Sequence, residues 1–162
     1  MTARMALPVA TLVLAVLLAS ARWHAGPELA LVAPFLPVVV VRHWAARAPQ
    51  LLPEWAVALA GLCVDAVTQG PLGCWALVYL VAGGIGIVAR RFADGGLVER
   101  ALAASVGVIA SGVACGLILA LYAWSDFSPR PVVAAIAAAL ALAVAVETIA
   151  GRAGAISGRS GA

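Results

Sequence analysis

The 24 residues from Ala101 to Trp124 contain no charged side chain, and this run bounds what the chain can fold into. As a helix it would rise about 36 Å, more than the ~30 Å hydrocarbon core of a bilayer. In lipid every backbone N–H and C=O must be paired within the segment, so such a run folds as a spanning helix. Charges and turn residues cut the rest of the chain into five further apolar stretches: Met5 to Ala21, Leu29 to Val41, Leu51 to Val67, Pro71 to Ala89, and Pro131 to Val146.

Composition carries the same message. The chain is 65% apolar and 10% charged, against roughly 45–50% and about 25% in a soluble domain. Too little polar surface remains to coat a water-soluble globule, which excludes the soluble, disordered and disulfide-framework classes. At roughly 20 residues per span, 162 residues hold six spans with short connections and no separate soluble domain. The expected fold is an all-α polytopic membrane bundle of six transmembrane helices over residues 1–150. Residues 151–162, rich in Gly, Ser and Arg, are expected as a flexible cytoplasmic tail. The second stretch is the odd one. Its 13 residues rise only about 20 Å, and Pro34 and Pro37 would kink it, so it either starts earlier, near Pro27, or is a broken helix.

The first stretch has some marks of a signal peptide. Arg4 precedes it, and Ala19-Ser20-Ala21 resembles a cleavage site. The run is longer than a usual signal core and further spans follow closely, so it reads as an ordinary first span.

All ten basic residues are Arg. They form no cluster of the kind that grips phosphate backbones, so nucleic acid is not expected as a partner. Instead they punctuate the apolar runs, as topology signals do. With six spans, Arg4, Arg42, Arg47, Arg90, Arg91, Arg100, Arg152 and Arg159 share one side, and Arg22 and Arg130 the other. Eight against two places both termini in the cytoplasm, under the rule that short cytoplasmic loops are enriched in Arg and Lys. Trp23, Trp44, Trp55, Trp75 and Trp124 all fall near expected span ends, where amphipathic rings favour the interface. Small residues four apart would let helices pack closely: Ala15 with Ala19, Ala82 with Gly86, Gly112 with Gly116, Ala134 with Ala138, Ala139 with Ala143.

Few polar residues need an explanation. Glu54 and Asp65 are the two acids of the third stretch, near its cytoplasmic and outer ends. Eleven residues apart, they share a helix face about 16 Å apart along the axis, too far for paired carboxylates in acid/base chemistry. Asp65 leads into Ala66-Val67-Thr68-Gln69-Gly70-Pro71-Leu72-Gly73. There Gly70 can take positive φ, and Pro71 suits the first turn of the next helix. The Asp65 carboxylate can accept N–H bonds from that turn and from the following helix N-terminus. It therefore reads as a turn lock, a partner contact, or both. Glu147 is expected at an interface, paired with Arg152. His24 and His43 are expected in loops on opposite sides of the membrane. Tyr79, deep in the fourth stretch, would be satisfied by a hydrogen bond to a neighbouring helix.

Cys63, Cys74 and Cys115 each sit in an apolar run without metal-ligand spacing and read as small hydrophobes. The sequence lacks H-E-x-x-H, G-x-S-x-G and a phosphate-binding glycine loop. The expectation is a protein with no catalytic residues, no metal and no cofactor.

One segment, Arg47 to Phe92, resembles the MreD family of bacterial rod-shape-determining membrane proteins. The resemblance rests on Pro53, on Gly61-Leu62-Cys63-Val64-Asp65, on Gly70-Pro71-Leu72-Gly73, and on the apolar run from Ala76 to Ala89 ending in Arg90-Arg91. It covers roughly a quarter of the chain. It implies a non-catalytic inner-membrane subunit of the cell-elongation complex that binds MreC, and through it MreB, RodA and a class B penicillin-binding protein. Membrane lipids would be its other contacts. Such a subunit helps keep lateral peptidoglycan synthesis ordered and so maintains cell shape. Gly61, Leu62, Asp65, Gly70, Pro71, Leu72 and Gly73 are then the structural and partner-interaction motif, with Glu54 a secondary candidate. The family is similar in architecture to the substrate-binding S components of energy-coupling-factor vitamin transporters, which makes such a component the alternative. Ala15 with Ala19 would be its docking pair. A small secondary transporter is a third reading, with Glu54, Asp65 and the broken second helix as its pointers.

Overall fold

The computed structural model describes residues 3–21, 32–92, 96–122 and 129–159. Among these the chain is all-α: α1 (Ala3–Ser20), α2 (Leu36–Arg47), α3 (Glu54–Thr68), α4 (Cys74–Ala89), α5 (Leu97–Tyr122) and α6 (Pro129–Arg159). Short 3-10 turns lie at Ala33–Phe35, Pro49–Leu51 and Arg90–Phe92. Two segments, Leu97–Tyr122 with 26 residues and Pro129–Ala150 with 22, are long and apolar enough to cross a membrane. Ala6–Ser20 and Cys74–Ala89 are shorter apolar helices.

Helix α4 is the hub. It packs against α2, α3 and α5, while α6 closes on α5, and α1 lies against α2 and α3. Contact on several sides explains why α4 has no polar stripe. Its residues Trp75, Val78, Tyr79 and Ala82 meet Phe35, Val38 and Val41 of the second helical segment, Val64 of α3, and Val108 and Cys115 of α5 in one continuous core. Glycines set the close approaches. A Cβ on Gly61 would overlap the backbone Cα and N of Ala76, and one on Gly86 would lie 2.8 Å from the Arg42 carbonyl oxygen. Helix α3 therefore touches α4 backbone to backbone, and α4 touches α2 almost as closely.

The bundle wears its apolar residues on the outside as well. Leu14, Leu17, Val106, Val113, Leu117, Leu121, Val133 and Ile149 are all exposed. Of the small-residue pairs, Ala15 with Ala19, Ala82 with Gly86 and Ala139 with Ala143 are buried, whereas Ala134 and Ala138 face outward. Ala134 and Ala138 thus join no helix interface within the described residues.

The second stretch shows where sequence boundaries slip. Instead of ending at Val41, its helix starts at Leu36 and runs through Arg42 and His43 to Arg47, after the 3-10 turn. The prolines explain the entry. Leu36 N–H bonds to the Ala33 carbonyl, and Pro37 has no N–H to offer the Pro34 carbonyl. The Tyr79 hydroxyl donates to that carbonyl instead, at 2.9 Å. At the other end of the chain, the α6 backbone stays helical through Gly151 to Arg159. Trp23, His24 and Trp124 lie outside the described residues.

Candidate functional site

The turn between α3 and α4 is built around Asp65. Helix α3 ends with Thr68, whose hydroxyl donates to the Val64 carbonyl at 2.9 Å. Gln69 then adopts the left-handed conformation at φ 54° and ends the helix. The sequence suggests Gly70 for positive φ; the chain uses Gln69 and, further on, Gly73 at φ 91°. Gln69 sits directly after the last helical residue, the position where a left-handed residue commonly reverses the chain. Pro71 lies before α4 instead of in its first turn: the Cys74 N–H bonds to the Pro71 carbonyl at 3.1 Å. With Gly73 at φ 91°, ψ −6°, this four-residue turn has the type II geometry that favours glycine at its third position.

Gly73 is also the N-cap of α4 and has no side chain to cap with. Asp65 supplies the missing acceptor from the neighbouring helix. Its Oδ2 accepts the Gly73 N–H and its Oδ1 the Trp75 N–H, each at 2.9 Å. Asp65 is 1% exposed. A buried negative charge is favourable here because two backbone donors and the positive end of a helix dipole face it. Gly61, one turn before Asp65, allows the backbone contact that brings those donors within reach.

The motif residues thus divide. Gly61, Asp65 and Gly73 meet, with Pro71 shaping the turn between them. Leu62, at 40% exposure, and Leu72, at 83%, face outward with Gly70. Glu54 stands apart as the exposed first residue of α3. It lines a cavity of about 330 Å³ between α2, α3 and α4, whose other walls include Val41, Val57, Leu80 and Gly84. Trp75 corrects the interfacial reading. It is buried, with its ring edge-to-face on Phe35 at 5.4 Å and tilted against Tyr79 at 6.0 Å. Trp55 is exposed, and Trp44 donates from Nε1 to the Thr11 hydroxyl at 3.0 Å, tying α2 to α1.

A second polar site is not visible as a unit in the sequence. Glu147 is 3% exposed, and its partners come from α2. The Arg152 side chain, its expected partner, lies outside the described residues. The Glu147 Oε1 accepts from Arg42 Nη1 and its Oε2 from Arg47 Nη2, both at 3.2 Å. His43, on α2 and not in a loop, lies against the Arg47 guanidinium with Nδ1 3.5 Å from Oε1. Arg42, which the sequence offers only as a topology signal, is also 3% exposed. Its stem runs over Gly107, where a Cβ would lie 3.3 Å from its Cδ. The one signal in the sequence is an acid close to the end of an apolar run; its partners lie 100 and 105 residues away.

Among the described residues no group of three His, Cys, Asp or Glu side chains is placed to hold a metal ion. Compared with known protein families, with curated proteins and with solved structures, the chain matches none of them.

Proposed function

We propose that this protein is a non-catalytic, six-span subunit of the bacterial inner membrane that serves the cell-elongation complex. It binds MreC through helix contact, and through MreC it serves MreB, RodA and its class B penicillin-binding protein. Both termini lie in the cytoplasm. The observation that carries this reading is the cooperation of the motif residues. Gly61, Asp65 and Gly73 build a fixed helical hairpin, and that hairpin holds Leu62 and Leu72 outward. A rigid element presenting apolar side chains suits recognition between helices in lipid, where packing and not apolar burial drives association. The exposed apolar residues of α1, α5 and α6 favour a lipid surround, since monomeric soluble proteins rarely expose large contiguous apolar patches. The vitamin-transporter reading is less well served, because Ala15 and Ala19 are 5% and 6% exposed and so not presented to an outside partner.

The test is an affinity purification of the tagged protein from native membranes in mild detergent, with partners identified by mass spectrometry. Recovery of MreC, with or without RodA, is expected. Recovery of transporter ATPases and their membrane coupling subunit would replace the proposal with the vitamin-uptake reading. Topology has its own check: reporter fusions at Arg91 and after Arg159 should both report cytoplasm, and a periplasmic signal from either would end the six-span reading.

A further inference from the structure

Arg42 and Arg47 from α2 and Arg100 from α5 converge with Glu147 on a cavity of about 80 Å³ between α2, α4, α5 and α6. Three guanidinium groups and a single carboxylate thus line one cavity. That carboxylate is already taken up, with Oε1 on Arg42 and Oε2 on Arg47. Arg100 has no ion-pair partner among the described residues, and its buried Nε lacks an acceptor. The Nε of Arg42 is likewise buried without one. Leaving buried donors unpaired costs about 1–3 kcal/mol each, so the site is short of acceptor oxygens as well as of negative charge. The rest of the wall is alanine, Ala103 among it, which leaves the space open. Its volume equals that of roughly two to three waters at ~30 Å³ each. Guanidinium forks match the geometry of phosphate oxygens and bind them bidentately.

We propose that this cavity is an oxyanion site, taking a phosphate group against Arg42, Arg47 and Arg100. The phosphate belongs either to an anionic lipid headgroup or to a free phosphate. A lipid source rests on the membrane reading above, in which this end of the bundle faces the cytoplasmic leaflet; basic pockets between helices on that side hold anionic headgroups. The oxyanion chemistry itself does not depend on the elongation complex.

The experiment is thermal unfolding of the full chain, delipidated in a neutral detergent, with three probes at matched ionic strength. These are inorganic phosphate, dioleoylphosphatidylglycerol, and dioleoylglycerol, which has the same chains without phosphate. A phosphate-bearing probe at a hundredfold excess over its Kd should raise Tm by roughly 5–10 °C, and dioleoylglycerol should not. A response to phosphatidylglycerol alone identifies a lipid headgroup; a response to inorganic phosphate as well identifies a site open to free oxyanions. Arg100→Gln should remove the response while leaving the unliganded Tm close to that of the wild type, because Arg100 has no ion pair among the described residues to lose. Ala103→Leu should remove it by filling the cavity with every charge kept. No response to either phosphate probe, an equal response to dioleoylglycerol, or an undiminished response in both variants would overturn the proposal. MreC binding is scored separately: its absence beside an intact phosphate response would sink the elongation reading and leave the oxyanion site standing.

Discussion

Two carboxylates are buried among the described residues of this bundle, and they are satisfied in opposite ways. Asp65 is held by backbone N–H groups 8 and 10 residues further along the chain. Glu147 is held by arginine side chains 100 and 105 residues earlier. The first arrangement costs little chain ordering, because α3 and α4 are neighbours and their backbones already touch at Gly61 and Ala76. The second joins α6 to α2 across the bundle, between helices far apart in the chain. Asp65 makes a local corner, whereas Glu147 clasps the second helix to the sixth.

This difference ranks the effects of breaking each site. Glu147→Ala should do the most harm, because it strands Arg42 and Arg47 without their acceptor. Breaking a buried pair from one side costs about 3–5 kcal/mol, which lowers Tm by on the order of 10 °C. Replacing the fully buried pair, Arg42→Met with Glu147→Leu, should recover much of that loss, since Arg47 is partly exposed and can turn to water; a double variant as unstable as the single one would show that the clasp works through something other than charge. Gly61→Leu comes next at about 3 kcal/mol, the upper part of the usual overpacking range, because its Cβ meets backbone atoms of Ala76 that cannot rotate away. The same detergent melts would read it. Asp65→Ala should cost about 2 kcal/mol by orphaning two N–H groups, and should reduce protein abundance or MreC recovery. Full complementation of cell shape at normal abundance would break the view of the corner as a structural lock. Tyr79→Phe should be mildest, at about 1 kcal/mol for one hydrogen bond to the Pro34 carbonyl. A larger loss would mean that the proline-broken entry to α2 leans on Tyr79 more than a single bond explains.

The same contrast decides what can be read from the sequence. The Asp65 corner is legible because its parts are adjacent: an acid at a helix end, a glycine and proline turn, then a new helix. Only details differ: Gln69 and Gly73 take the positive φ in place of Gly70, and Pro71 lies in the turn before α4 and not in its first turn. The Glu147 clasp is not legible. Arg42 looks like every other loop arginine, and nothing local distinguishes an arginine that ends a span from one that enters the core. Trp75 is misplaced for a related reason: closeness to a helix end says where a residue lies along the axis, but not which neighbour covers it. A boundary drawn at the first charge cuts α2 short at Val41, because the partner that lets Arg42 and His43 stay helical and covered sits in another helix.

The clasp also has a consequence for how the chain is made. Synthesis runs from the N-terminus, so Arg42 leaves the ribosome 105 residues ahead of Glu147. At about 5–20 residues per second that gap lasts roughly 5–20 s. For the last 72 residues of it, from Trp75 to Glu147, the α3–α4 corner can already be closed, since its donors follow Asp65 by only 8 and 10 residues. Arg42 meanwhile waits without its acceptor. A nascent chain halted before α6 therefore holds a finished corner at one end of α4 and an arginine still without its carboxylate near the other.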